Sequence, residues 1–326
     1  MSLYLVPLII IISLLLLSIY LVFLKPVIIK NYTNNEAIPI AKFGDFFLYA
    51  PLYIALDNNY FSDEGLDVDI VSTGGDEKTF LALLSGEAQF GVADPTFIAV
   101  SGEQGRPGRL VASILNGVPF SGISNDPNIK VSDISDLKNK TIATFPAPST
   151  AYTLQRELFE TANLQPQIFE VAPGSLIASL QDDQVDIALE LEPNVSSFVK
   201  NGGNVVYSMS DYWSDFALTG LTTLPDYIDE NEGKVQKVVT AIDKSMQFIQ
   251  NNPSETAKLL KARFPEVEDD VAKEAIDNMI EKNIFPKNTL VSKAGWEAAI
   301  DLRKKVGDIQ NSAPYDTYVI TRFSEK

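Results

Sequence analysis

Hydrophobic residues follow two regimes along this chain. From Leu3 to Leu24 they form one uncharged run, broken only by Pro7, Ser13, Ser18 and the tyrosines Tyr4 and Tyr20. After Ala37 they fall into short runs of strand length, each followed by a stripe of 3.6-residue period. The first run covers 22 residues, about 33 Å as a helix, which exceeds a hydrocarbon core of about 30 Å. It has no basic start and no small-residue cleavage site after it, so it reads as an uncleaved anchor and not a signal peptide.

The second regime predicts an ordered succession of elements. Ile38 to Lys42 forms a strand, a helix starts near Pro51 and ends by Asn59, and Leu66 to Val71 alternates as a second strand. A Gly-rich turn leads to a helix over Glu77 to Ser85 and a strand over Gln89 to Ala93. Another helix opens at Asp94-Pro95, and Arg109 to Asn116 forms a strand. Polar residues from Asn125 to Asp136 mark a crossover to a second lobe. There, strands over Lys140 to Phe145, Gln167 to Val171, Val185 to Leu189 and Asn204 to Ser208 alternate with helices over Ser149 to Ala162, Ser175 to Gln181 and Pro193 to Lys200. Phe216 to Leu224 returns as a strand, and the remainder is helical: Glu232 to Asn251, Pro253 to Arg263, Val267 to Lys282 and Ser292 to Val306. Strands alternating with helices at this spacing give an α/β architecture with parallel sheets. The boundaries expected are an anchor over 1–25, a tether over 26–37, a first lobe over 38–124 and 217–326, and a second lobe over 125–216.

Composition narrows the chemistry. A net charge of −17 argues against nucleic acid or an anionic membrane surface as partner of the globular part. The chain has no His and no Cys, which removes imidazole catalysis, thiolate nucleophiles, disulfides and the usual zinc and iron–sulfur ligands. No cofactor and no metal are expected. Lys25 and Lys30 after the anchor would place the domain in the cytoplasm by the positive-inside tendency, a bias resting on two residues.

Once these motifs are placed, the chain resembles the type II periplasmic-binding-protein superfamily. The resemblance is narrower for the branch of ABC-importer binding proteins that takes thiamine precursors, sulfonates and nitrate. It is carried by APLYIALDNNYFSDEGLDVDIV from Ala50, GGDEKTFLALLSGEAQFGVADP from Gly74, DLKNKTIATFPAPST from Asp136 and IALELEPNVSSFVKNGGNVVYS from Ile187. It implies two lobes closing over a small molecule, an extracytoplasmic domain, and ABC permease and ATPase subunits as partners. It also implies binding without turnover. The single-pass anchor to the cell membrane read from Leu3 to Leu24 departs from the family, whose members usually carry a cleaved signal or a lipidated Cys. The rivals are a sulfonate or nitrate binder of this fold, a lyase of menaquinone-pathway type, a pyrimidine synthase weakened by the missing His and Cys, and a sensor ectodomain.

In this fold the loops after successive strands converge on the ligand. They supply Asp45, Phe46, Phe47 and Tyr49, then Thr73, Gly74 and Gly75, then Asp94, Phe145, Ser149 and Thr150, and finally Glu190, Glu192 and Trp213. Asp76 and Asp94 open helices and are read first as caps, Asp94 being kept among the contacts. If the loop is extended, Phe46 and Phe47 point in opposite directions, so one of them belongs to the core. Asp45 is the favoured acid, having no capping duty before Pro51. Aromatics with acids, and only Lys42 and Lys78 as nearby cations, suit an aromatic or amine-bearing ligand such as a thiamine-type pyrimidine better than a bare anion.

Overall fold

A computed structural model describes residues 37–165 and 167–325. The expected anchor, and all but Ala37 of the expected tether, lie outside these residues. Among the described residues no helix is long and apolar enough to cross a membrane.

Among the described residues, ten strands form two five-stranded sheets of matching design. The first runs β2 (Val68–Ser72), β1 (Ile38–Lys42), β3 (Phe90–Ala93), β10 (Thr219–Thr223), β4 (Arg109–Leu115). The second runs β7 (Gln167–Glu170), β6 (Thr141–Thr144), β8 (Ile187–Glu190), β5 (Ser121–Ser124), β9 (Asn204–Ser208). In the first, β1 pairs in parallel with β2 and β3, while β10 is antiparallel to β3 and β4. In the second, β6 is parallel to β7 and β8, while β5 is antiparallel to β8 and β9. The fold is thus a two-sheet α/β fold in which each sheet has its fourth place filled by a reversed strand arriving from the other sheet.

Ser121–Ser124, assigned by the sequence reading to the first lobe, pairs in the second sheet. The chain changes sheets between β4 and β5 and again between β9 and β10. These two crossings run side by side: Met209 N–H donates to the Phe120 carbonyl at 2.9 Å, and Phe216 N–H to the Asn116 carbonyl at 2.8 Å.

The longest helix among the described residues covers Pro225–Asn251 and leaves helical geometry at Asn231 (φ −135°, ψ 33°), so the expected start at Glu232 marks its second segment. Its stripe of Val235, Val238, Val239, Ile242, Met246 and Ile249 is wholly buried, each side chain contributing about 1.5–3 kcal/mol. A separate core forms under the C-terminal helix Lys293–Lys305, where buried Trp296 stacks on Tyr318 and donates to the Ala313 carbonyl at 2.9 Å.

Gly122 in β5 lies under the ring of Tyr207 in β9, whose hydroxyl donates to Gln155 Oε1 at 2.5 Å. A Cβ at Gly122 would stand 2.1 Å from Tyr207 Cε1. Gly122→Ala is therefore expected to destabilise by about 1–3 kcal/mol through overpacking, read as a lower urea midpoint.

Candidate functional site

The carboxyl ends of the parallel strands in the two sheets face one another, and their loops enclose a cleft. From the first sheet come the loop after β1, the Thr73–Gly75 turn after β2, and the segment after β3. Gly74 adopts φ +81°, a conformation suited to glycine. Its N–H donates to the Phe43 carbonyl at 2.7 Å, which continues the β1–β2 pairing to the rim. From the second sheet come Phe145 to Ser149 after β6, Pro173 after β7, and Leu191 after β8.

These loops surround a cavity of about 260 Å³, walled by Phe43, Gly74, Gly75, Asp76 and Phe97 on one side and Phe145, Pro146, Pro148, Ser149 and Pro173 on the other. A pocket of about 50 Å³ shares Phe43, Asp76, Phe145 and Ser149 with it and adds Phe46, Tyr49, Phe120, Thr150, Leu191 and Thr219. Together they make one mostly apolar cleft. An apolar cavity of about 150 Å³ takes benzene, so this one fits a single substituted ring.

Seven of the residues named from sequence meet here: Phe46, Tyr49, Gly74, Gly75, Phe145, Ser149 and Thr150. Ser149 also caps the helix Thr150–Thr161, accepting the Tyr152 N–H at 3.3 Å.

The other seven lie elsewhere. Asp45 is exposed and pairs with buried Lys42 at 2.7 Å, and that ammonium holds its carboxyl below the usual range. Lys42 also donates to the Gly44 carbonyl at 2.7 Å and to Ser72 Oγ at 2.8 Å. Asp45 thus serves as counterion to a lysine buried at the end of β1. Phe47 is core, packed 5.1 Å from the Phe264 ring. Thr73 spends its hydroxyl on the turn, against Gly75 and Thr79. Glu192 caps the helix Asn194–Lys200 through Ser196 N–H at 3.0 Å, and Asn278 reaches its other oxygen at 3.2 Å. Trp213 packs on the core beside Tyr212.

Glu190 is buried behind Leu191, accepting the Leu191 N–H at 2.9 Å, and burial pushes its carboxyl up to about 7.

Asp94 is locked behind the cleft wall. Its Oδ2 takes Arg303 Nη2 at 2.8 Å and the hydroxyl of Thr150, which belongs to the opposite sheet's loop. Its Oδ1 takes the N–H and hydroxyl of Thr96 at 2.8 and 2.6 Å. The count of nearby cations made from sequence therefore omits Arg303. A signal for it exists: Trp296, Ile300 and Arg303 fall on one helical stripe, and an arginine on an apolar stripe demands a buried acid.

Asp76, read first as a cap, is a wall residue of both pockets. Its Oδ1 accepts the Asp94 N–H at 3.2 Å. Burial, and then the charge of Asp94, push its carboxyl up to about 7. Phe43, Phe97, Phe120 and the prolines are also absent from the sequence-based site, although Phe145 to Thr150 (FPAPST) ends one of the motifs carrying the resemblance.

A family model described as NMT1/THI5 like matches residues 47–256. The Bacillus subtilis (strain 168) protein YtlA, for which binding is proposed and no ligand is named, is 23% identical over 317 residues, 95% of each chain. The alkanesulfonate-binding protein SsuA from Xanthomonas axonopodis pv. citri, solved with MOPS, superposes with a TM-score of 0.70 at 14% identity, covering 87% of this chain and 98% of that one. The periplasmic nitrate-binding protein NrtA from Synechocystis PCC 6803 gives a TM-score of 0.70 at 14% identity, with 85% and 83% covered. At these identities the two structures share the fold with this chain.

Proposed function

Because the chain belongs to the NMT1/THI5-like family, we propose that it is an extracytoplasmic substrate-binding protein that delivers a small heteroaromatic molecule, such as a thiamine-type pyrimidine, to the permease and ATPase of an ABC importer. Residues 3–24 tether it to the membrane, and the two lobes close over the ligand about the paired crossings. The protein binds and releases its ligand without converting it.

One observation carries the ligand reading. The cavity between the lobes has aromatic and prolyl walls and an inward carboxyl at Asp76. Flat apolar walls bury a ring, and a carboxyl orients an N–H donor on it. The buried guanidinium of Arg303 is taken up by Asp94 and Asp308, which leaves exposed Lys78 as the cation at the cavity wall. A sulfonate or nitrate reading draws on the helix N-termini at Asp76 and Thr150, both of which abut the cavity.

The test is thermal unfolding of the full chain with pyrimidines, flavins, taurine-like sulfonates and nitrate. A ligand at 100 times its dissociation constant should add about 2.7 kcal/mol of stability. Stabilisation by pyrimidines is the expected result; stabilisation by sulfonates or nitrate alone would sink the heteroaromatic reading. Any turnover of the bound compound would overturn the non-enzymatic one.

A further inference from the structure

Asp76 stands where an acid is costly. It opens the helix Asp76–Ser85 and lines both pockets of the cleft. Its Oδ1 is occupied by the Asp94 N–H, while among the described residues no protein donor reaches Oδ2. The charged and titratable groups around it are Tyr49, Glu77 and Lys78 on its own side and Asp94 with Arg303 behind it. Arg303 is committed to Asp94, Thr96 and Asp308. Lys78 is exposed and lines the same cavity.

Without that carboxyl the same walls would describe an anion site. The first-turn N–H groups of a helix have no acceptor within it, and the helix end carries partial positive charge. Two such ends meet at this cavity, at Asp76 from one lobe and at Thr150 from the other. Lys78 adds a cation at the wall. Asp76 sets a negative group in the middle of this arrangement, and burial together with the charge of Asp94 raises its carboxyl to about 7, so it ionises near neutrality.

Building on the heteroaromatic reading above, we propose that Asp76 sets the charge preference of the cleft. Its Oδ2 accepts a hydrogen bond from the N–H of an amine- or amidine-bearing heterocycle, and its charge turns away the anions that the surrounding helix ends would otherwise hold. Selectivity then arises from an introduced repulsion as much as from a new attraction.

The experiment measures binding of an aminopyrimidine, its oxo counterpart, taurine and nitrate by calorimetry to the full chain and to Asp76→Asn and Asp76→Glu. Asparagine keeps an oxygen for the Asp94 N–H, and circular dichroism checks that each variant is folded. The wild type should prefer the aminopyrimidine to the oxo form by roughly 10- to 100-fold, the range for a charge-assisted hydrogen bond. Asp76→Asn should lose that margin and gain at least about tenfold in taurine or nitrate affinity, while Asp76→Glu keeps the preference for the amine. An aminopyrimidine bound equally by wild type and Asp76→Asn would overturn the inference and leave the binding-protein reading standing. A wild type that takes taurine or nitrate in preference would overturn both. If no heterocycle binds the wild type, the anion arm decides: a gain in Asp76→Asn supports the inference, and no gain overturns it.

Discussion

Arg303→Ala is expected to lower the unfolding free energy by about 3–5 kcal/mol, the cost of stranding one charge of a buried pair. Both side chains are 2% exposed and 2.8 Å apart. The guanidinium also donates to Thr96 Oγ1 at 2.9 Å and to Asp308 at 2.9 Å, and it lies 4.8 Å from the Phe97 ring centre. Alanine would leave the Asp94 carboxylate desolvated and unneutralised, supported only by Thr96 and Thr150. The damage would reach across the cleft, because Thr150 and Asp94 sit on loops of different sheets. Equilibrium urea unfolding measures it. The double variant Arg303→Met with Asp94→Asn should recover much of the loss, since it leaves no buried charge. A loss below about 1 kcal/mol in the single variant would show that the pair is not buried in solution.

Glu190→Gln is expected to act in the opposite direction, stabilising the protein by about 3 kcal/mol at pH 8. Glu190 is 3% exposed, and its carboxyl is raised from 4.5 to about 7 by burial, partly countered by the Leu191 N–H and Asn194. The sign follows from proton counting. Between pH 4.5 and 7 the unfolded chain has lost this proton and the folded chain retains it, so unfolding free energy falls as pH rises. The favourable contribution is complete below 4.5 and gone above 7. Glutamine keeps an oxygen for the Leu191 N–H and carries no charge to desolvate. Urea unfolding of both proteins from pH 4.5 to 8 should give curves that converge at the acid end and separate toward neutrality. Parallel curves would remove the burial argument.

The parts of this molecule legible in its sequence are those fixed by local rules. Strands β1, β3 and β4 announce themselves by apolar runs between Gly, Pro and polar turns, and Ser149 caps its helix as a serine before a helical stripe should. Strand β5 does not. Ser121–Ser124 holds one large apolar residue, Ile123, and is a strand because β8 and β9 leave a gap that its backbone fills. Asp45 misled for a related reason. Its duty is toward Lys42, whose burial depends on Tyr49, Tyr53 and Ser72 closing around it. The place of Phe145 and the Gly74–Gly75 turn at the cavity wall is legible because they follow strand ends. That of Arg303 is not, because 209 residues separate it from Asp94; only its place on an apolar stripe hints at a partner.

The strand order also governs how the protein can be made. The second sheet is built from one uninterrupted stretch, β5 to β9, whereas the first has β10 between β3 and β4. While the chain is being synthesised, β3 and β4 therefore wait with open edges until Thr223 has emerged, about a hundred residues after Leu115. At about 5–20 residues per second that delay is roughly 5–20 s. Exposed strand edges are templates for mispairing. The lobe that comes second in the sequence is thus finished first, and the earlier-made strands are the ones most in need of protection by a chaperone.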